Sequence, residues 1–137
     1  MNDLTPIVWS AEFSVGVPEF DRQHHQIIDV INRMLASRET SPHSETVSDA
    51  LDELSRFADR HFKAEEAFLT ERNYSALEEQ KASHQLFRRR TLELCQMALE
   101  HTSSTPSELL AFVRGWWVRH ILEADRRYAR ELGLLPG

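Results

Sequence analysis

Apolar side chains return every three or four residues along four stretches of the chain, the period of a helix buried on one face. In the first stretch Phe20, His24, Ile27, Ile28, Ile31, Met34 and Leu35 share a face. Val47, Leu51, Leu54, Ala58, His61, Glu65, Phe68 and Leu69 form the second stripe. Leu77, Gln80, His84, Phe87, Thr91, Leu94 and Ala98 form the third, and Leu109, Val113, Trp116, His120 and Tyr128 the fourth. The breaks fall at residues 37–44, at Asn73-Tyr74-Ser75 and at residues 102–107, where Ser, Thr and Pro collect. Residues 1–19 carry Pro6 and Pro18 and no period, and read as an extended arm. No segment alternates as a strand does. The pattern predicts an all-α, up-down-up-down four-helix bundle in a single domain, 1–137, with helices at about 20–37, 45–71, 75–101 and 107–131.

The polar members of these stripes change the picture. Each helix carries metal-capable or polar side chains in register with its apolar face: His24; His61 and Glu65; Gln80 and His84; His120, with Asp125 nearby. They lie near the start, end, start and end of successive helices, which in an antiparallel bundle is one level. A lone histidine on an apolar face is usually a satisfied core residue. Several such residues on four helices, with two carboxylates among them, point to a metal layer, because buried carboxylates need a partner. His61–Glu65 and Gln80–His84 are i, i+4 pairs, which project from one face within about 6 Å. His120–Asp125 is i, i+5, roughly 140° apart on an ideal α-helix, and simple helix geometry does not account for it. Four imidazoles and two carboxylates suit iron, zinc or manganese and exceed the needs of one tetrahedral zinc. The carboxylates read as bridges between two metals.

Composition narrows the function. Sixteen basic and 22 acidic residues give a net charge of −6, against a general nucleic-acid binder or a basic membrane-surface segment. No apolar run is long enough to span a bilayer, and the first 20 residues show no signal-peptide pattern. The single cysteine, Cys95, forms no internal disulfide, so the cytoplasm is the expected compartment. The Arg88-Arg89-Arg90 run reads as a solvated face and Cys95 as a small buried residue. No phosphate loop, dinucleotide turn or serine-nucleophile motif is present.

Taken together, Trp9, Phe13-Ser14-Val15-Gly16-Val17, Asp21-Arg22-Gln23-His24, His61-Phe62-Lys63-Ala64-Glu65-Glu66, Tyr74 with His84, and Trp116 with His120-Ile121 and Asp125 resemble the hemerythrin family over almost the whole chain. The five-residue step from His120 to Asp125 is part of that resemblance. It implies a non-haem centre of two iron ions, bridged by an oxo or hydroxo group, that binds dioxygen reversibly. Glu65 and Asp125 would bridge the irons. His24 and His61 would hold the iron with the open position, and His84 and His120 would serve the other. Phe62, Trp116, Trp117 and Ile121 would line the oxygen pocket.

Two departures bear on that expectation. The family's third helix normally reads His-x-x-x-His, and Gln80 stands at the first of those positions. An amide oxygen is a weak neutral donor beside imidazole. Gln80 ligates weakly, a water takes the place, or that metal is held loosely. Glu79, His25 and His101 lie off the layer and are expected at the surface. Trp117 stands where relatives often carry leucine; it narrows the pocket, or else packs on the bundle surface or in an interface. The leading expectation is dioxygen storage, delivery or sensing, without nucleic-acid or membrane partners. The alternative is a di-iron enzyme with peroxidase, nitric oxide or ferroxidase-type activity. A metal-free signalling bundle working through a surface histidine such as His25 leaves the buried carboxylates unexplained.

Overall fold

A computed structural model describes residues 3–37, 45–100 and 105–135. The long helices are α1 (Pro18–Ser37), α2 (Glu45–Glu71), α3 (Leu77–Glu100) and α4 (Thr105–Arg119). From Arg119 the backbone runs without a break through a π-helical turn, His120–Asp125, into α5 (Arg126–Glu131). These last three segments make one rod. Neighbouring helices pack side by side and α1 meets α4, closing the bundle. Among the described residues there is no strand, and no helix is long and apolar enough to cross a membrane.

Two helices begin earlier than the pattern expects, at Pro18 and at Thr105 before Pro106. Residues 105–107 belong to α4 rather than to a loop. Proline in the first turn loses no intrahelical bond, and its fixed φ suits the helix, so it marks a start as well as a stop. Glu19, Asp21 and Glu108 put negative charge in these first turns, opposite the positive end of the dipole. The expected breaks at residues 38–44 and 101–104, His101 included, lie outside the described residues.

The end of α2 is cleanly defined. Asn73 has φ 53°, Tyr74 N–H donates to the Leu69 carbonyl at 3.1 Å, and Asn73 N–H donates to that of Thr70 at 3.2 Å. This is the paired 6→1 and 5→2 bonding that closes a helix through a left-handed residue. Gly133 repeats it at the end of α5, with φ 69° and a 2.8 Å bond from Leu134 N–H to the Ala129 carbonyl.

Residues 3–17 form the arm, with one 3-10 turn at Ala11–Phe13. Asn32 on α1 holds Ile7 at two points: its amide oxygen accepts from Ile7 N–H at 2.8 Å and its amide nitrogen donates to Ile7 O at 2.9 Å. Arg114 on α4 donates to the Thr5 carbonyl. Asp21 accepts from the Ser14 hydroxyl at 2.6 Å and from Val15 N–H at 2.9 Å. Ile7, Phe13 and Val15 are buried. Gly16 has φ 77°, and a Cβ there would lie 2.1 Å from the Leu134 carbonyl oxygen. The arm thus closes against the far end of the chain.

Buried apolar side chains fall into two clusters. One contains Ile27, Ile31, Phe62, Phe87, Trp117 and Ile121; the other contains Val15, Phe20, Leu69, Tyr74 and Tyr128. The polar stripe residues sit between them on every helix: His24 after Phe20, His61 and Glu65 before Leu69, His84 before Phe87, and His120 and Asp125 before Tyr128.

Candidate metal centre

All six metal-capable stripe residues are buried, and Gln80 with them: His24, Glu65, His84 and Asp125 have no exposed surface, and His61, Gln80 and His120 have at most 5%. Their functional atoms converge in two nests. In the first, His24 Nε2 and His61 Nε2 lie 3.0 Å apart. Asp125 Oδ2 is 3.3 Å from His24 Nε2, and Glu65 Oε2 is 3.2 Å from His61 Nε2. In the second, Glu65 Oε1 is 3.0 Å from His84 Nε2, and Asp125 Oδ1 is 3.1 Å from His120 Nε2. Each carboxylate therefore gives one oxygen to each nest. Two overlapping groups with ligand geometry result, His24, His61, Glu65 and Asp125, and Glu65, His84 and His120.

The π turn explains the fourth helix. A π turn closes i→i+5, so His120 and Asp125 stand one turn apart along one side of the rod. The extra residue that an α-helix would not tolerate in register brings this pair inward together. It also carries Tyr128 and Ala129 into the core.

A ring of outer partners aims the imidazoles. Gln23 Oε1 accepts from His61 Nδ1 at 2.6 Å, and Glu66 Oε2 accepts from His84 Nδ1 at 2.7 Å. Ser83 Oγ lies 3.1 Å from His120 Nδ1. With Nδ1 committed outward, a neutral His61 or His84 turns its Nε2 lone pair inward. There it meets a carboxylate oxygen, acceptor against acceptor, in a dry interior. Asp125 Oδ2 has no hydrogen-bond partner among the described residues. Only positive charge reconciles such a set, and nitrogen and carboxylate donors in this number fit iron, manganese or zinc.

In the metal-free chain, charge on the surrounding imidazoles acts on the carboxylates in the direction a metal would. Burial works against the charge on Glu65, but the His61 and His84 imidazoles outweigh it and hold its carboxyl well below the ordinary 4.5. Burial and the Glu65 charge oppose ionisation of Asp125, and His120 and His24 overcome them, leaving it below 3.8. Burial, reinforced by His61, lowers His24 from 6.5, favouring the neutral ring that a metal requires. Tyr128, raised well above 10 by burial and by the Glu65 and Asp125 charges, keeps its proton.

That proton marks a residue the sequence reading passed over. Tyr128 O–H donates to Glu65 Oε2 at 2.9 Å. The available signal was an aromatic residue with a polar tip on a buried stripe, three positions after Asp125. The ring-aiming roles of Gln23, Glu66 and Ser83 were also missed. Each is next in sequence to a histidine or carboxylate of the layer, yet each serves a ring on another helix.

Gln80 enters the second nest. Its amide nitrogen donates to Asp125 Oδ1 at 2.6 Å and to Glu65 Oε1 at 3.0 Å, and lies 3.3 Å from His120 Nε2. Glu79 points elsewhere and pairs with Arg127 at 3.0 Å. His25 is exposed and stacks on Trp9, ring centres 3.8 Å apart. Phe62, Trp117 and Ile121 are fully buried. Phe62 stacks on His84 at 3.9 Å and on Trp117 at 5.4 Å, and half-buried Trp116 stacks on His120 at 4.3 Å. Trp117 therefore does not lie on the bundle surface; its ring centre is 6.2 Å from that of His61.

The chain is similar to known proteins over most of its length. The family model described as the hemerythrin HHE cation binding domain matches residues 15–132. A bacteriohemerythrin of Clostridium acetobutylicum is 28% identical, covering 88% of this chain and 97% of its own. A hemerythrin-like protein of Naegleria gruberi is 32% identical, covering 90% and 92%. A solved hemerythrin structure bearing a leucine-to-tyrosine substitution superposes with a TM-score of 0.69 at 26% identity, covering 90% of this chain and 95% of that one. The matched stretch reaches from the docked arm to the end of the last helix and takes in both nests: the chain belongs to the hemerythrin family.

Proposed function

We propose that this protein binds dioxygen reversibly at a pair of iron ions held in the two nests. The observation that carries the reading is the division of labour in the carboxylates: Glu65 and Asp125 each offer one oxygen to each nest. His24 and His61 would hold one iron, His84 and His120 the other, with an oxo or hydroxo bridge between them. Ferrous iron bound there supplies the electrons on which reversible dioxygen binding draws. The chain's own residues supply the surroundings. Phe62, Trp117 and Ile121 exclude water from the layer. Gln23 and Glu66 hold two imidazoles with Nε2 inward, and Tyr128 keeps its O–H on Glu65. Gln80 in place of a third imidazole alters the second position. Storage, delivery and sensing of dioxygen all draw on this same chemistry.

The test is iron content per chain on anaerobically purified protein, followed by optical spectra through cycles of oxygen addition and removal. Two irons and a visible band that appears and disappears with oxygen support the reading. Irreversible oxidation, with turnover of peroxide, nitric oxide or ferrous iron, replaces it with the enzyme reading that the substitution at Gln80 favours.

A further inference from the structure

Between two ionised carboxylates only the NH2 end of a glutamine amide makes favourable contacts, because its oxygen is itself an acceptor. Gln80 presents that end to Asp125 Oδ1 and Glu65 Oε1, the two carboxylate oxygens that face the second nest. Those oxygens are thereby satisfied from within the chain. Of the oxygens facing the first nest, Glu65 Oε2 accepts from the Tyr128 hydroxyl at 2.9 Å, whereas Asp125 Oδ2, 3.3 Å from His24 Nε2, has no hydrogen-bond partner among the described residues. By first-nest and second-nest imidazoles the two positions are equal, two rings each. What distinguishes them is that the amide occupies both carboxylate oxygens of the second nest, while the Tyr128 hydroxyl occupies one of the first.

Behind Gln80 lies a surface cleft of about 170 Å³, lined by Tyr74, Ala76, Glu79, Gln80, Ala124 and Arg127. The side chain thus stands between solvent and the second nest, 3% exposed. His24 and His61 are at most 1% exposed, and the rings of Phe20, Phe62 and Trp117 pack around that of His61.

We propose that Gln80 makes the two metal positions unequal, locking the second nest with its amide hydrogens so that the chain holds one metal firmly at His24 and His61 and a second one weakly. A cation entering the second nest displaces two charge-assisted hydrogen bonds and meets the amide only after it rotates to present Oε1. The second metal exchanges through the cleft behind Gln80, and the first does not. The inference rests on the layer being a metal site, but not on its binding oxygen.

An anaerobic titration of metal-free protein with cobalt(II), followed by its visible absorption and by calorimetry, tests this without oxygen. The wild-type chain should bind one equivalent tightly and a second about 100-fold more weakly. A chelator should strip the second equivalent and leave the first. Gln80→His should bring the second affinity to within about tenfold of the first. Gln80→Ala, which removes the lock without adding an imidazole, should also tighten the second site relative to wild type. Two equivalents bound in one phase by the wild type overturn the inference and leave the metal-site reading intact, as does weaker second-site binding in Gln80→Ala. Binding of no metal removes both.

Discussion

Glu65 shows how much one side chain carries. One oxygen faces His61 and receives the Tyr128 hydroxyl; the other faces His84 and receives the Gln80 amide. Glu65→Ala withdraws an oxygen from both nests at once, so metal analysis of that variant should find neither position retained. Two metals kept in it contradict the bridging role. Tyr128→Phe preserves the ring packing and deletes one donor to a buried carboxylate. A bond of this kind contributes about 2 kcal/mol, and urea unfolding of the metal-free variant should register a loss of that order. Much at this scale was legible in advance. A histidine or carboxylate in an apolar stripe advertises itself by the cost of burying it. The partners Gln23, Glu66 and Ser83 did not, because polar residues beside a stripe are the commonest thing on a helix, and only the packing of neighbouring helices says which ring each will meet. The direction of the Gln80 amide was hidden for the same reason: it depends on two carboxylates from α2 and the π turn.

Among the elements, the helices followed from period and punctuation, while their joints did not. Proline at positions 18 and 106 stood for both an end and a beginning, and sequence alone favoured the end. The docking of the arm also escaped the pattern, since Val15-Gly16-Val17 has no period to read. Its structural reason is specific. Gly16 combines a left-handed φ with direct approach to the Leu134 backbone, whereas nothing stands within 4 Å of a Cβ at Gly133. Gly16→Ala should therefore cost more stability than Gly133→Ala, about 2 kcal/mol or above against about 1 kcal/mol for a strained φ alone. Equal losses in denaturant melts would show that the arm yields at Leu134 without penalty.

For the molecule as a whole, the buried layer links stability to pH. His24, Glu65 and Asp125 all have depressed proton affinities in the folded chain. The folded protein then binds fewer protons than the unfolded chain, so their contribution is complete above the ordinary values and disappears as pH falls through the folded ones. The melting temperature of metal-free protein should begin to fall as pH drops below about 6.5, where an unfolded His24 starts to take up a proton. It should fall further through the carboxylate range. Bound metal, which competes with the same protons, should hold the curve flat to lower pH. A metal-free protein indifferent to pH between 8 and 4 would contradict the assignment of these groups as neutral ring and ionised carboxylates. At this scale the sequence spoke clearly: stripes whose polar members share one level predict the layer before any coordinate is known.

The π turn at His120–Asp125 has a corollary for insertions and deletions. A helix advances by about 100° per residue, so one residue gained or lost within it turns everything beyond by more than a quarter of a circle. Downstream of Asp125 that arc separates a core tyrosine from an exposed one. Substitutions in these six positions alter a single side chain, but an insertion or deletion shifts the reading frame of the remaining rod, taking Asp125, Tyr128 and Ala129 out of phase together. Deleting Ala124 should accordingly abolish metal binding even though the deleted side chain is a single methyl group. The site therefore depends on the length of this segment more than on any one side chain between its ends.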